Sequence, residues 1–538
     1  MCGIMAVIGK VDEKLVLEQS RKMKHRGPDD EGIFQTEAGV TLCHQRLSII
    51  DLKTGHQPLV FEGGPALVHN GEIYNHEKLW EEVAGRTPLA KISSSDSEII
   101  AHLYKVYGKG AIHKLDGVFA FVYTQGNEVF AGRDPMGVKP LYYGHDSEKR
   151  MWFSSETKSL LDVCESIEEF PPGHFFTPED GFVKFYCPLW EKSEFIPKGK
   201  GEGLKEALES AVEKRLMSDV PLGVLLSGGL DSSLVASITA RMMEKKGKKI
   251  KSFSVGLSPE AYDLKAARKV AEHIGSDHHE ILFSVEEGIE ALEELILKLE
   301  SYDVTTIRSA TPMYLMMKKI SELGVKVVMS GEGADEILGG YMYFHNAPSF
   351  PEFHEECVRR VNLLYSADVL RADRATMGAG IEARVPFLDL KFLDESMGVT
   401  PELKQPYAGE RIEKWILRQA FDDKENPYLP DEILWRQKEQ FQDGVGYSWV
   451  DGLKAHAEKQ ISDEEFSKRE KIFSYQPPES KEAFYYRKIF SKHFKHESSD
   501  KLIKRWIPKW QDDEDTSGRA SKFHQKTVHS KKKVFKAS

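Results

Sequence analysis

The distribution of apolar and polar positions divides the chain into two textures. Up to about residue 190, apolar residues come in short β-branched and aromatic runs bounded by glycine turns. The clearest is Gly117-Val118-Phe119-Ala120-Phe121-Val122-Tyr123, a turn at Gln125-Gly126-Asn127, then Glu128-Val129-Phe130-Ala131-Gly132, which predicts a buried hairpin. Leu67-Val68-His69, ahead of Asn70-Gly71, a pair also common in turns, and Met151-Trp152-Phe153 predict shorter strands. Many strands with few helices point to an α+β sandwich of antiparallel sheets. Residues 188–203 turn polar and rich in lysine and glycine, as in a linker. Beyond them Leu204, Ala207, Leu208, Ala211, Val212 and Leu216 fall at helical spacing. An apolar strand at 222–226, a glycine turn and a helix from Asp231 follow. Strands at 251–256 and 326–329 alternate with helical stretches, one near 264–274. That alternation predicts a doubly wound, largely parallel sheet with additional helices. The expected division is a first domain over 1–190, a second over 204–510 and a basic, solvated tail over 511–538.

Composition narrows the class. At 538 residues the chain exceeds one ordinary core, and 40% hydrophobic with 30% charged residues describes a globular protein. A net charge of -11 argues against a nucleic-acid-binding surface. No apolar run spans a bilayer, and the start lacks the basic-then-apolar pattern of a secretory signal. Cys2, Cys43, Cys164, Cys187 and Cys357 show no paired spacing, so neither a disulfide framework nor a zinc site is expected. A reducing, cytoplasmic location follows as the expectation.

Chemistry concentrates at three places. Cys2 follows the initiator methionine, and removal of Met1 would leave one residue carrying both a thiol and a basic α-amine. Ser227-Gly228-Gly229-Leu230-Asp231-Ser232-Ser233 lies between a strand and a helix, where glycines and a helix start accept an anion. It lacks the lysine of a Walker A loop, and its acid suits a magnesium ion better than a phosphate. Ser330-Gly331-Glu332-Gly333-Ala334-Asp335-Glu336 repeats the glycine-and-acid pattern at a second strand end, where ligands of parallel sheets collect.

The loop at 227–233 resembles the signature of ATP pyrophosphatases, which cleave ATP to AMP and pyrophosphate. Met1-Cys2-Gly3-Ile4, with His25-Arg26-Gly27-Pro28-Asp29, Arg46-Leu47-Ser48-Ile49-Ile50 and Asn70-Gly71-Glu72-Ile73-Tyr74-Asn75, resembles the class II glutamine amidotransferase domain of N-terminal nucleophile hydrolase type. Both modules in this order are similar to the glutamine-hydrolysing asparagine synthetase family. Arg371-Ala372-Asp373-Arg374, the run from Arg384 to Asp389 and the run from Arg436 to Phe441 extend the likeness over nearly the whole chain. The resemblance implies that Cys2 attacks the amide of glutamine, with Asn70 and the N–H of Gly71 stabilising the oxyanion. It places Arg46, Leu47, Ser48, Ile49, Ile50, Asn70, Gly71, Glu72 and Asp96 around the glutamine, Arg46 on its carboxylate and Asp96 on its ammonium. For the second site it implies aspartate activation to β-aspartyl-AMP with release of pyrophosphate, then ammonia attack to give asparagine and AMP. Leu225, Ser227, Gly228, Gly229, Asp231, Ser232, Val255, Ser330, Gly331 and Lys438 would bind ATP, the co-substrate. Asp231 and Asp335 would hold Mg2+, and Glu332 would sit where ammonia attacks. The implied partners are glutamine, aspartate and ATP, with no nucleic acid or membrane and with a homodimer left open. Gly378 and Gly380 depart from the bulkier residues expected there, beside a matching Glu382 and Arg384.

Two rivals share the architecture or the ligands. A β-lactam synthetase-like ligase would activate a larger carboxylate, but such enzymes lack the terminal cysteine. A non-catalytic glutamine or ATP sensor would not need Cys2 together with both acidic strand ends.

Overall fold

The computed structural model describes residues 2–407 and 410–511. Of the tail expected at 511–538, residues 512–538 lie outside the described residues.

Two six-stranded antiparallel sheets face each other in the N-terminal part. One runs Ser166–Glu169, Tyr142–His145, Met151–Ser154, Gly3–Ile8, Val40–Arg46 and Asp30–Gln35 in spatial order. The other runs Gly181–Lys184, His174–Thr177, Glu128–Arg133, Gly117–Gln125, Ala66–Ile73 and Leu59–Val60. The expected hairpin is present, with Gln125 opposite Glu128 across the turn. Ile4, Ala6, Leu42, Val68, Ala120, Val122 and Phe153 pack between the sheets, because alternate residues of each strand face the same layer.

Asn70-Gly71 is not a turn. It lies inside the strand Ala66–Ile73, with Gly71 paired to Phe119. Gly71 has φ +143°, and a Cβ there would come within 1.9 Å of the Val118 carbonyl oxygen. The glycine serves close approach of two strands rather than chain reversal.

The second half is built on a five-stranded sheet in the order Asp277–Leu282, Lys251–Gly256, Leu222–Leu225, Val327–Met329, Glu382–Arg384. Every neighbouring pair is parallel. The helix Leu204–Lys214 forms as its apolar spacing predicts, and Leu230–Lys245 and Tyr262–His273 form where helices are expected between the strands. The two outermost strands carry no periodic signal. Asp277–Leu282 is a polar edge containing His278, His279 and Glu280, and Glu382–Arg384 is three residues with charges at both ends.

Residues 188–203 are more firmly docked than a linker composition suggests. Trp190 is buried and donates its indole N–H to Asp394 at 2.9 Å, while the Gly199 amide donates to the Gly398 carbonyl at 2.8 Å.

A buried lattice of ion pairs joins the two halves. Glu156, beyond the strand Met151–Ser154, meets Arg26 at 3.0 Å, Lys158 at 2.5 Å and Arg374 at 3.0 Å. Arg374 comes from the helix Asp368–Met377 of the second half and also reaches Glu300 at 3.1 Å. Glu300 accepts the backbone N–H groups of Thr157 and Lys158, both at 2.8 Å. Further along, Arg384 pairs with Glu72 at 3.2 Å and Glu382 at 2.5 Å. Beside these charges Leu47 and Ile49 pack on Val327 and Met377.

Burial alone would push the Glu156 carboxyl up, but Lys158, His25 and Arg374 outweigh it and hold it well below the ordinary value of 4.5. Its stabilising effect is therefore complete above that ordinary value and fades as pH falls toward the depressed native one. Glu156→Gln leaves three buried cations short of a counter-charge, at an expected cost of about 3 kcal/mol at neutral pH. Thermal unfolding should show a lowered midpoint at pH 7 and a gap to the unmodified chain that narrows below pH ~4.

Candidate active sites

The first site assembles around the chain start. Cys2 precedes the strand Gly3–Ile8, so the sheet delivers it to a strand end. Its backbone N–H donates to Asn70 Oδ1 at 2.9 Å, and its Sγ lies 3.9 Å from the Leu47 carbonyl oxygen. Asn70 Nδ2 is buried without a hydrogen-bond partner, an available donor on the side chain that holds the Cys2 nitrogen. Burial pushes the Cys2 thiol up, so ionising it needs a nearby base.

Arg46 ends the strand Val40–Arg46, and its Nη2 donates to the Asp51 carbonyl at 2.6 Å. That bond fixes the guanidinium while leaving other donors of the fork for a ligand. The Ser48 N–H is held by Asp29 at 2.7 Å. Leu47 and Ile49 use their side chains in the apolar contact between the halves, with Ile50 packed against it, which leaves their backbone for the site. Asp96 opens the turn Asp96–Glu98 and accepts the Ile73 N–H at 2.7 Å. Burial raises its pKa. Glu72 is pushed well above its ordinary value by burial and by the nearby Glu382, and it faces Arg384. His44 and His69 are fully buried and held near pKa 3, first by desolvation, so both are neutral at pH 7.

The second site is a cleft of about 140 Å³ beyond the carboxyl ends of Leu222–Leu225 and Val327–Met329. Leu225, Ser227, Asp231, Ser232, Val255, Ser330, Gly331, Glu332, Asp335 and Lys438 line it. The two glycine turns touch, since a Cβ on Gly331 would lie 2.7 Å from the Ser232 nitrogen. Gly228 does not line the cleft. Its φ of +72° turns it onto Ala266 and Ala267, and its carbonyl accepts from Arg436 at 2.7 Å. Gly229 lines an adjoining recess of about 60 Å³ that is rich in cations: Lys414, Arg418, Arg436 and Lys438.

Asp231 and Asp335 converge on one ammonium. Lys414 Nζ pairs with Asp231 and lies 2.5 Å from Asp335, while Lys438 meets the other oxygen of Asp335 at 2.6 Å. Burial alone would raise Asp335, but Lys414 and Lys438 hold it well below the ordinary carboxylate range. Asp231 Oδ1 is buried and has no hydrogen-bond partner. Glu332 takes a hydrogen bond from Arg371 at 2.8 Å, yet burial outweighs that charge and pushes its pKa up.

Sequence reasoning missed Lys414, which stands in the left-handed region at φ +56° in a stretch with no motif of its own. It also gave no role to Arg371 or Arg436, although both stand inside stretches that carry the family likeness. Among the described residues no group of three or more His, Cys, Asp or Glu forms a metal cage, and no helix is long and apolar enough to cross a membrane.

Residues 203–352 and 349–513 match the family described as "Asparagine synthase", and residues 1–179 match "Glutamine amidotransferase domain". The chain is 49% identical over 559 residues to a probable asparagine synthetase (glutamine-hydrolyzing) of Dictyostelium discoideum, covering 98% of this chain and 100% of that protein. It is 49% identical over 554 residues to an asparagine synthetase of Asparagus officinalis, covering 97% and 92%. A third relative, asparagine synthetase 1 of Arabidopsis thaliana, is 49% identical over 553 residues, covering 97% and 94%. With its strand-end cleft and its N-terminal cysteine site, the chain belongs to the asparagine synthase family.

Proposed function

We propose that the chain makes L-asparagine from L-aspartate and ATP, using ammonia released from L-glutamine at Cys2. The observation that carries the reading is the meeting of Asp231 and Asp335, from neighbouring strand ends, in one cleft bordered by cations. Residues 1–190 would form the glutaminase and 204–510 the synthetase.

At the first site the Cys2 thiol attacks the amide carbon of glutamine, ammonia leaves, and water frees glutamate from the thioester. Once Met1 is removed, the Cys2 nitrogen beside Asn70 becomes a free α-amine, a group that ordinarily titrates at about pH 7.7–8.0 and so serves as a base adjacent to the thiol. Asn70 Nδ2 and the Gly71 N–H would receive the oxyanion, each donor lowering the barrier by about 3 kcal/mol. Arg46 and Asp96 supply the charges complementary to the carboxylate and ammonium of an amino acid.

At the second site an aspartate carboxylate attacks the α-phosphorus of ATP, and pyrophosphate leaves toward the recess of Lys414, Arg436 and Lys438. Ammonia then displaces AMP from the acyl phosphate. The elevated pKa of Glu332 suits a group that takes a proton from the incoming nitrogen. Asp231 and Asp335 would hold a Mg2+ ion that neutralises phosphate charge; two carboxylates with a free Oδ1 fit an ion that completes its shell from phosphates and water.

Identifying products after incubation with aspartate, glutamine and MgATP tests the whole reading: asparagine, AMP and pyrophosphate should appear together, and ADP in place of AMP refutes it. Cys2→Ala is expected to abolish glutamine-dependent synthesis while ammonia-dependent synthesis continues. Glutamate production that persists in that variant removes Cys2 as nucleophile. Asp231→Asn should lower aspartate-dependent pyrophosphate release by about 10²–10³-fold with glutamine hydrolysis retained, measured by a coupled phosphate assay.

A further inference from the structure

One helix of the second half reaches both sites. In Asp368–Met377, Arg371 donates to Glu332 at 2.8 Å in the nucleotide cleft. Two residues on, Asp373 accepts from Arg26 Nη1 at 2.8 Å and from Nη2 at 3.2 Å. The same Arg26 donates through Nε to the carbonyl oxygen of Cys2 at 3.0 Å. Arg26 is 0% exposed and Asp373 is 3% exposed, so water does not compete for either.

A guanidinium is planar, and holding its two terminal nitrogens sets the direction of its Nε–H. Cys2 has few other restraints. It stands outside the strand Gly3–Ile8, and with Met1 removed it has no preceding residue. Its backbone is then held at two points, the nitrogen by Asn70 Oδ1 and the carbonyl by Arg26 Nε. A reacting atom displaced by about 1 Å loses on the order of 10²-fold in rate. Glu156 also accepts from Arg26 Nη1, at 3.0 Å, but from the same half of the molecule and on one nitrogen alone.

We propose that Asp373, contributed by the synthetase half, is a positioning residue for the glutaminase nucleophile, acting through Arg26 on the Cys2 carbonyl. This rests on Cys2 being that nucleophile. Asp373 touches neither glutamine nor the thiol. Its loss should therefore slow thioester formation without weakening the hold of Arg46 and Asp96 on the substrate.

The test is glutamine hydrolysis by the full chain carrying Asp373→Asn, Arg26→Lys or both, alongside the rate at which the glutamine analogue 6-diazo-5-oxo-L-norleucine inactivates each. Asp373→Asn should lower kcat and the limiting inactivation rate by about tenfold or more. KM should stay within about twofold, because binding common to ground and transition states is untouched. The double variant should be no slower than Arg26→Lys alone, since Asp373 acts only through Arg26. An unchanged kcat, a loss carried by KM, or losses that multiply in the double variant would overturn the proposal. If Asp373→Asn does not fold, Asp373→Glu takes its place in the cycle, its longer carboxylate shifting Arg26 with the same expected loss. Persistent hydrolysis by Cys2→Ala defeats the nucleophile reading itself; a dead Cys2→Ala beside an unimpaired Asp373→Asn defeats only the positioning role.

Discussion

Charges buried between the two halves must find their counter-charges there, and that requirement ties the molecule together. Arg26, Glu156, Arg374 and Glu300 are each nearly or wholly out of water. An ion so placed costs several kcal/mol unless its partner is in hydrogen-bond range. Each half pairs some of these charges within itself, Glu156 with Arg26 and Lys158 and Arg374 with Glu300, but the set is completed only by the bonds that cross, Glu156 to Arg374 and Arg26 to Asp373. The halves are thus held in one relative arrangement by directional bonds, where an apolar seam such as Leu47 on Met377 would tolerate sliding. A buried lattice of this kind is weak evidence for extra stability, but strong evidence for a defined register, because any shift strands a charge.

That register carries over to the chemistry. The strand Ala66–Ile73 holds Asn70 against Cys2, and one position past Gly71 it sends Glu72 across to Arg384. Arg384 ends a strand that pairs with Val327–Met329, whose own end leads into Ser330 and Glu332. An unbroken path of backbone pairing and ion pairs therefore runs from one site to the other. Ammonia is mostly protonated in open water, so two sites that share it gain from being fixed in relation to each other.

Much of the fold was readable along the chain because its strongest elements are locally encoded. The hairpin at 117–133 declares itself through apolar runs about a glycine turn, the helix after 204 through apolar spacing, and the helix after 230 through the strand and glycine turn that precede it. The strand ends at 227 and 330 were readable as a site because two glycine-and-acid turns follow two strands. What escaped is non-local. Asp277–Leu282 and Glu382–Arg384 become strands only because the sheet offers them an edge. Asn70-Gly71 has the composition of a turn, and only the approach of Val118 shows why the glycine lies in a strand. The pair Gly378 and Gly380, unexpected by family likeness, has a local cause. Gly380 takes φ +68° just after the helix Asp368–Met377, and a Cβ on Gly378 would press on Lys298 and Tyr314.

The nucleotide cleft shows why acids belong in a phosphate loop. Two carboxylates facing a polyanion would repel it unless cations outnumber them nearby. The recess supplies Lys414, Arg418, Arg436 and Lys438 against Asp231, Asp263 and Glu439. Arg418 is committed to Glu413 at 3.0 Å, and Arg436 to Asp263 at 2.7 Å. Lys414 and Lys438 remain beside Asp231 and Asp335 and keep Asp335 ionised despite its burial. Asp335 is thereby maintained as a hard oxygen donor, and the lysines stand beside both acids, within reach of negative charge on a bound phosphate. Neither set would serve alone: without the lysines burial would push the Asp335 carboxyl up, and without the carboxylates Lys414 and Lys438 would face each other with no counter-charge between them.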